Sequence, residues 1–187
     1  MNLVGCQLPL GALRALLTSP AVAPLRALAL GGDLIGSAMK YAVIADLVAP
    51  NLMALDLSDD SPRAEAVEAL VMSPLCARLR RLDLSRSSLN RGRTALLANG
   101  AFDNLRVLKL YGNSAGNSGV IALAQSPHLA GLLVLDLGYT QVGDDGVRAI
   151  LDSPWADGLV LLNMIGSPAS DEAKGLIKAR MGDRVRL

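Results

Sequence analysis

The stretch Leu132-Leu133-Val134-Leu135-Asp136-Leu137 decides the fold, because its Leu-x-x-Leu-x-Leu pattern recurs along the chain. The other copies are Leu25-x-x-Leu28-x-Leu30, Leu52-x-x-Leu55-x-Leu57, Leu79-x-x-Leu82-x-Leu84, Leu105-x-x-Leu108-x-Leu110 and Leu159-x-x-Leu162-x-Met164. Their first leucines, at 25, 52, 79, 105, 132 and 159, lie 27, 27, 26, 27 and 27 residues apart. A period fixed in this range predicts a stacked solenoid rather than a single compact core. Within each copy the leucines alternate with variable residues, so the stretch reads as a short strand with leucines inward and x residues outward.

The rest of each copy reads as a loop and a helix. Small residues (Ala66, Gly92, Gly119, Gly146, Ala173) open the helical segments and are expected to let each helix lie close to the sheet. Helices stop at Ser19-Pro20, Ser73-Pro74, Ser126-Pro127 and Ser153-Pro154, because proline cannot continue a helix and biases the preceding serine away from helical angles. The order strand, loop, helix, turn, strand requires parallel strands with every helix on the outer side.

Three residues past each final leucine sits a short polar side chain: Asp33, Asp60, Ser87, Asn113, Thr140 and Ser167. In a solenoid these stack in a column and bond the backbone at each sharp turn. Two residues further, Ile35, Leu89 and Val142 return to the core. The register also extends backwards through Met1, Leu3, Cys6 and Leu8, so the chain opens inside the strand of one more copy. Residues 1–187 thus form one domain, divided into a partial copy (1–24), five full copies (25–51, 52–78, 79–104, 105–131, 132–158) and a last copy with its C-terminal cap (159–187).

Composition narrows the function. The chain is 51% hydrophobic but 3% aromatic, which fits a core of repeated aliphatic side chains, and its net charge of +1 offers no electrostatic reason to bind nucleic acid or an anionic membrane. No run reaches the roughly 18 apolar residues of a membrane span. Residues 1–17 lack the cationic start and clean apolar stretch of a signal peptide. Leu3-Val4-Gly5-Cys6 matches a lipoprotein processing box in letters, but only two residues precede it where such a box needs a long apolar segment. Cys6 and Cys76 fall in different copies and are expected to stay reduced, as in the cytoplasm.

The outward strand positions carry the functional candidates. Asp56 and Asp83 are expected to be lateral neighbours about 4.8 Å apart, a mild repulsion that would welcome a cationic partner group. A mixed patch of Arg81, Asp83, Arg86, Lys109, Tyr111, Asp136 and Tyr139 offers the residue types enriched at binding hot spots. The competing reading is that Leu-Asp-Leu merely solubilises the outward face. Val107, Val134 and Leu161 form an apolar lane that reads as strand filler or a small greasy contact.

Other features point away from chemistry. Tyr111 to Gly119 is glycine-rich but lacks the Gly-Lys-Ser/Thr ending of a phosphate loop. His128 has no carboxylate or nucleophile spaced to serve it, so it reads as a surface or packing residue. One histidine and two distant cysteines cannot build a zinc site. Arg78, Arg80, Arg81, Arg86, Arg91 and Arg93 span a turn, a strand and a loop, so they make no single basic face. Trp155 is expected to pack over the adjoining repeat edge. No catalytic residue, cofactor or metal site is expected.

The six copies, read with the polar turn column and the core return, resemble the leucine-rich repeat consensus L-x-x-L-x-L-x-x-N/C-x-L over essentially the whole chain. A copy near 27 residues with a true helix is similar to the ribonuclease-inhibitor-like subtype. Gln141-Val142-Gly143-Asp144-Asp145-Gly146, Ser126-Pro127-His128-Leu129-Ala130 and the tail from Ala179 to Leu187 resemble runs in a bacterial group of such proteins. Asn stands in one of six turn columns, with Asp, Ser or Thr in the others. The resemblance implies an α/β horseshoe with a parallel sheet on the concave face and helices on the convex face. It also implies a non-catalytic scaffold holding an unidentified protein partner, without nucleic acid or membrane. The alternative is a truncated array with no dedicated ligand, since no capping unit precedes the first copy. Such a fragment would self-associate weakly through its uncapped N-terminal edge.

Overall fold

The computed structural model describes residues 1–32, 37–45, 47 and 49–187. Asp33 and Ile35, expected in the turn column and the core return, lie outside them. Among the described residues seven strands form one sheet in chain order: β1 (Ala27–Ala29), β2 (Ala54–Asp56), β3 (Arg81–Asp83), β4 (Val107–Lys109), β5 (Val134–Asp136), β6 (Leu161–Asn163) and β7 (Val185–Arg186). Every neighbouring pair is parallel. The sheet is open, and one helix follows each strand from β1 to β6: α2 (Ser37–Ala45), α3 (Ala64–Val71), α4 (Arg91–Leu96), α5 (Gly116–Gln125), α6 (Asp144–Asp152) and α7 (Asp171–Met181), with α1 (Leu10–Leu17) ahead of β1. This is an α/β leucine-rich repeat solenoid, its helices packed successively along the convex side.

Each strand is only two or three residues long because the coil turns as soon as its leucines are buried. The central leucines Leu28, Leu55, Leu82, Leu108, Leu135 and Leu162 face one another in register. None of the six is more than 2% exposed. Burying one such side chain is worth about 1.5–3 kcal/mol, and the gain repeats at every coil. Val185 of β7 continues the column opposite Leu162. This last strand carries no leucine pattern, and the sequence reading passed over it.

At the other end, Met1 to Gly5 runs beside β1, as the backward register predicts. Ala29 N–H donates to the Met1 carbonyl at 3.0 Å, Leu3 N–H to Ala29 at 2.8 Å, and Gly5 N–H to Gly31 at 3.0 Å. Leu3 and Leu8 pack half-buried against the core, while Cys6 is exposed.

The small residues do not act as expected. Gly119 and Gly146 lie inside their helices rather than opening them. Gly119 allows a close approach to the neighbouring coil, and Gly146 to Val142 in the turn of its own coil as well as to the neighbouring coil; neither contact is with the sheet. A Cβ on Gly119 would stand 2.9 Å from Cβ of Thr94 in α4, and one on Gly146 would stand 3.1 Å from Asn117 Oδ1 in α5. Helices one coil apart are the nearest bodies in a solenoid, so that is where bulk is limiting.

The Ser-Pro stops do end α1, α3, α5 and α6. At two of them the serine hydroxyl accepts an N–H two residues on, Ser19 from Ala21 at 3.3 Å and Ser73 from Leu75 at 3.2 Å. Ser87, Asn113, Thr140 and Ser167 of the polar turn column are buried and bond the backbone as predicted, whereas buried Asp60 bonds the Lys40 side chain. Asn113 Oδ1 accepts the N–H groups of Ser87 (3.0 Å) and Leu89 (2.9 Å), and its Nδ2 donates to the Leu84 and Leu110 carbonyls, both at 2.8 Å. Ser87 Oγ donates to the Leu57 carbonyl at 3.0 Å, and Ser167 Oγ to the Val142 carbonyl. Leu89 and Val142 are fully inside.

Candidate protein-binding surface

The outward residues of the strands line up in rows because the register never slips. Ala29, Asp56, Asp83, Lys109, Asp136, Asn163 and Arg186 are successive lateral neighbours across the sheet. Asp56 and Asp83 stand side by side as expected, but the repulsion between them is already offset from within. Lys109 Nζ and Arg81 Nη2 each lie 3.5 Å from Asp83 Oδ2. A cation from outside is therefore not required at this point.

The aspartates of the row also have a local task that the solubilising reading did not include. Asp56 Oδ1 accepts the Ser58 N–H at 2.9 Å, Asp83 Oδ1 that of Ser85 at 3.1 Å, and Asp136 Oδ1 that of Gly138 at 3.1 Å. Asn163 does the same for Ile165. Each carboxylate or amide closes the turn leaving its strand, the Asx pattern of a side chain bonding two residues on. An Asx two positions before a turn was the available signal.

Three residues past the strand ends, and at Gly5 in the segment beside β1, runs a column of left-handed residues: Gly5, Gly32, Asp59, Arg86, Gly112, Tyr139 and Gly166, all with φ between +52° and +75°. Glycine takes this conformation freely, whereas other residues pay roughly 1–2 kcal/mol in crowding of Cβ. The three non-glycine members are all on the outward edge, and each has a contact that offsets the strain. Arg86 Nε and Nη2 donate to the Asp59 carboxylate at 2.6 and 2.7 Å. That two-pronged bond holds the Asp59 carboxyl below the usual range. The Tyr139 ring meets the Tyr111 ring edge-to-face, with centroids 5.5 Å apart and planes at 73°.

The seven residues of the sequence-derived patch therefore sort into three groups. Arg81, Asp83 and Lys109 form one ion cluster. Arg86 is tied to Asp59. Tyr111 and Tyr139 stack, with Asp136 nearby and bonded at Oδ1 by Asn163 Nδ2 at 2.8 Å. Tyr139 is 54% exposed. Val107, Val134 and Leu161 stand in register beside these groups, half-buried.

One expectation away from the sheet is corrected. His128 does have a carboxylate in reach, since its Nδ1 lies 3.0 Å from Asp103 Oδ1 in the coil before. A separation of 25 residues is nearly one coil, which linear spacing conceals; both groups are well exposed. Trp155 is buried, 1% exposed. Cys76 is likewise buried, donating to the Leu70 carbonyl at 3.0 Å, and burial pushes its thiol up to about 12. Both cysteines are free thiols. Among the described residues no three His, Cys, Asp or Glu side chains gather as metal ligands, and no helix is long and apolar enough to cross a membrane.

Residues 131–151, the coil of β5 and α6, match the family model described as Leucine Rich repeat. No curated protein matches the sequence significantly. Among solved structures the chain is similar to a Bacteroides fragilis protein known from its crystal structure, at 14% identity and a TM-score of 0.45, over 94% of this chain and 69% of that one. With every coil built alike and one coil matching that family model in sequence, the chain has the leucine-rich repeat fold.

Proposed function

We propose that the chain is a non-catalytic interaction scaffold that holds a protein partner on its concave sheet, through Arg81, Asp83, Arg86, Lys109, Tyr111, Asp136 and Tyr139. The observation that carries the reading is the outward face itself. Seven in-register strands present varied side chains on a rigid support, and among them stands an edge-to-face tyrosine pair, Tyr139 exposed and Tyr111 half-buried. Aromatic residues held rigidly on a surface lose little entropy on binding, which is why they recur at interface centres. The same reading assigns the chain to the ribonuclease-inhibitor-like subtype and to a bacterial group, on its copy length and turn wording. The two free thiols favour the reducing cytoplasm.

The test is affinity capture from cells of the source organism with three baits: the unaltered chain, a Tyr111→Ala/Tyr139→Ala variant, and an Arg148→Ala variant on the convex helix α6. A stoichiometric partner retained by the first and third baits but lost by the second supports the concave face. Equal retention by all three discards it.

A further inference from the structure

Several side chains converge above Gly138, which is itself buried at the end of β5. A Cβ at Gly138 would lie 2.8 Å from the Tyr111 ring and 3.0 Å from Asn163 Nδ2. That amide in turn holds Asp136 Oδ1. The Tyr139 ring rests on Gly166 in the same way, 2.6 Å from where a Cβ would stand. Two glycines thus keep a floor low enough for two aromatic rings to lie over backbone, with a carboxylate at their side.

The charges around this corner are unevenly satisfied. Asp59 has Arg86, and Asp83 has both Arg81 and Lys109. Lys109 is the lateral neighbour of Asp136, yet it leans to Asp83 on its other side. Among the described residues Asp136 forms no ion pair; its bonds come from a neutral amide and a backbone N–H, both at Oδ1. A carboxylate beside a tyrosine pair that is exposed at Tyr139 complements a cation, attracted both by the charge and by the electron-rich ring faces.

We propose that this corner is an arginine-binding subsite: one arginine of an extended partner segment lays its guanidinium against the Tyr111–Tyr139 pair and donates to Asp136 Oδ2. Arginine fits better than lysine because its planar group stacks on a ring while its edge still donates in the ring plane. The assignment rests on the concave-face reading and names what that face takes at this point.

The experiment follows tyrosine ring signals by NMR while acetyl-Gly-Arg-Gly-amide is added, with the lysine and glutamine versions of the peptide as controls. The chain has three tyrosines, and Tyr41 is buried in the core and serves as an internal reference. The Tyr111 and Tyr139 signals are expected to shift and saturate with the arginine peptide, more weakly with lysine, and not with glutamine. Asp136→Asn keeps the acceptor for Gly138 and is expected to weaken the arginine peptide about tenfold, the scale of one charge-assisted bond. Equal shifts from the glutamine peptide, equal binding of lysine and arginine, or an unaffected Asp136→Asn variant would each overturn the subsite. These outcomes are independent of partner capture. A partner lost from the tyrosine double variant but bound normally by Asp136→Asn keeps the concave-face reading and removes the arginine.

Discussion

At the scale of single residues, the turn column shows one structural problem solved in two ways. Asn113 satisfies backbone donors and acceptors together because an amide does both. In the second coil the column holds Asp60, which can only accept. Lys40 supplies the missing donor, bonding Asp60 Oδ2 at 2.9 Å and also the Leu30 carbonyl. Lys40 and Asp60 are 3% and 1% exposed, so the pair is fully desolvated. Breaking such a pair leaves a lone buried charge, at a cost of about 3–5 kcal/mol. Lys40→Met is therefore expected to lower urea-unfolding stability by that amount. Adding Asp60→Asn is expected to recover more than half, because the amide restores what Asn113 does elsewhere. Singles and double falling equally would refute the substitution logic. Burial and the nearby Asp60 charge also push the Tyr41 phenol well above its usual value, so it stays neutral throughout the accessible range.

At the scale of elements, coils are pinned through their turns and spaced by their helices. The Asp59–Arg86 bond joins the turn after β2 to the turn after β3. Its hydrogen bonds lower the folded-state pKa of Asp59, so the associated stability is present above the unfolded carboxylate value of about 4. It is lost as pH falls through the lowered folded value. In Arg86→Ala the Asp59 titration, followed by carboxyl NMR, is expected to move up to the ordinary range; an unmoved midpoint would assign the depression to some other cause. Helix spacing gives a second test. Gly175 in α7 has nothing within 4 Å of a new Cβ, whereas Gly119 meets Thr94 at 2.9 Å. Alanine should thus stabilise at 175 by about 0.5–1 kcal/mol through helix propensity. At 119 it should cost about 1–3 kcal/mol through overpacking. Thermal unfolding of the two variants checks the opposite signs.

At the scale of the whole molecule, stability propagates from coil to coil, through the fastenings between neighbouring coils. Arg184 fastens β7 to the coil before it. Its Nη1 donates to the Asp157 and Leu159 carbonyls at 3.0 and 2.9 Å, and its Nε to Met181 at 3.1 Å. Arg180 grips the Asp157 carboxylate beside it with two bonds. Arg184→Ala is expected to speed amide hydrogen exchange in β6 and α7 while leaving β3 unchanged. A uniform acceleration along the chain would mean the molecule opens as one unit rather than from its end.

What could be read directly was whatever repeats. Leu28 through Leu162 recur at a nearly constant interval, and that interval, read with the strand–helix order, the polar turn residues and the Ser-Pro pairs, dictates a parallel sheet with leucines inward, a polar column at the turns and helices ending at Ser-Pro. The pairing of Met1 to Gly5 with β1 follows from the same count. Only the tertiary structure decided which charges on the outward face are already taken. Lys109 has an aspartate on either side, and the register places both equally well. Its choice of Asp83 over Asp136, like the meeting of His128 with Asp103, depends on where long side chains swing between coils, and no spacing along a chain encodes that.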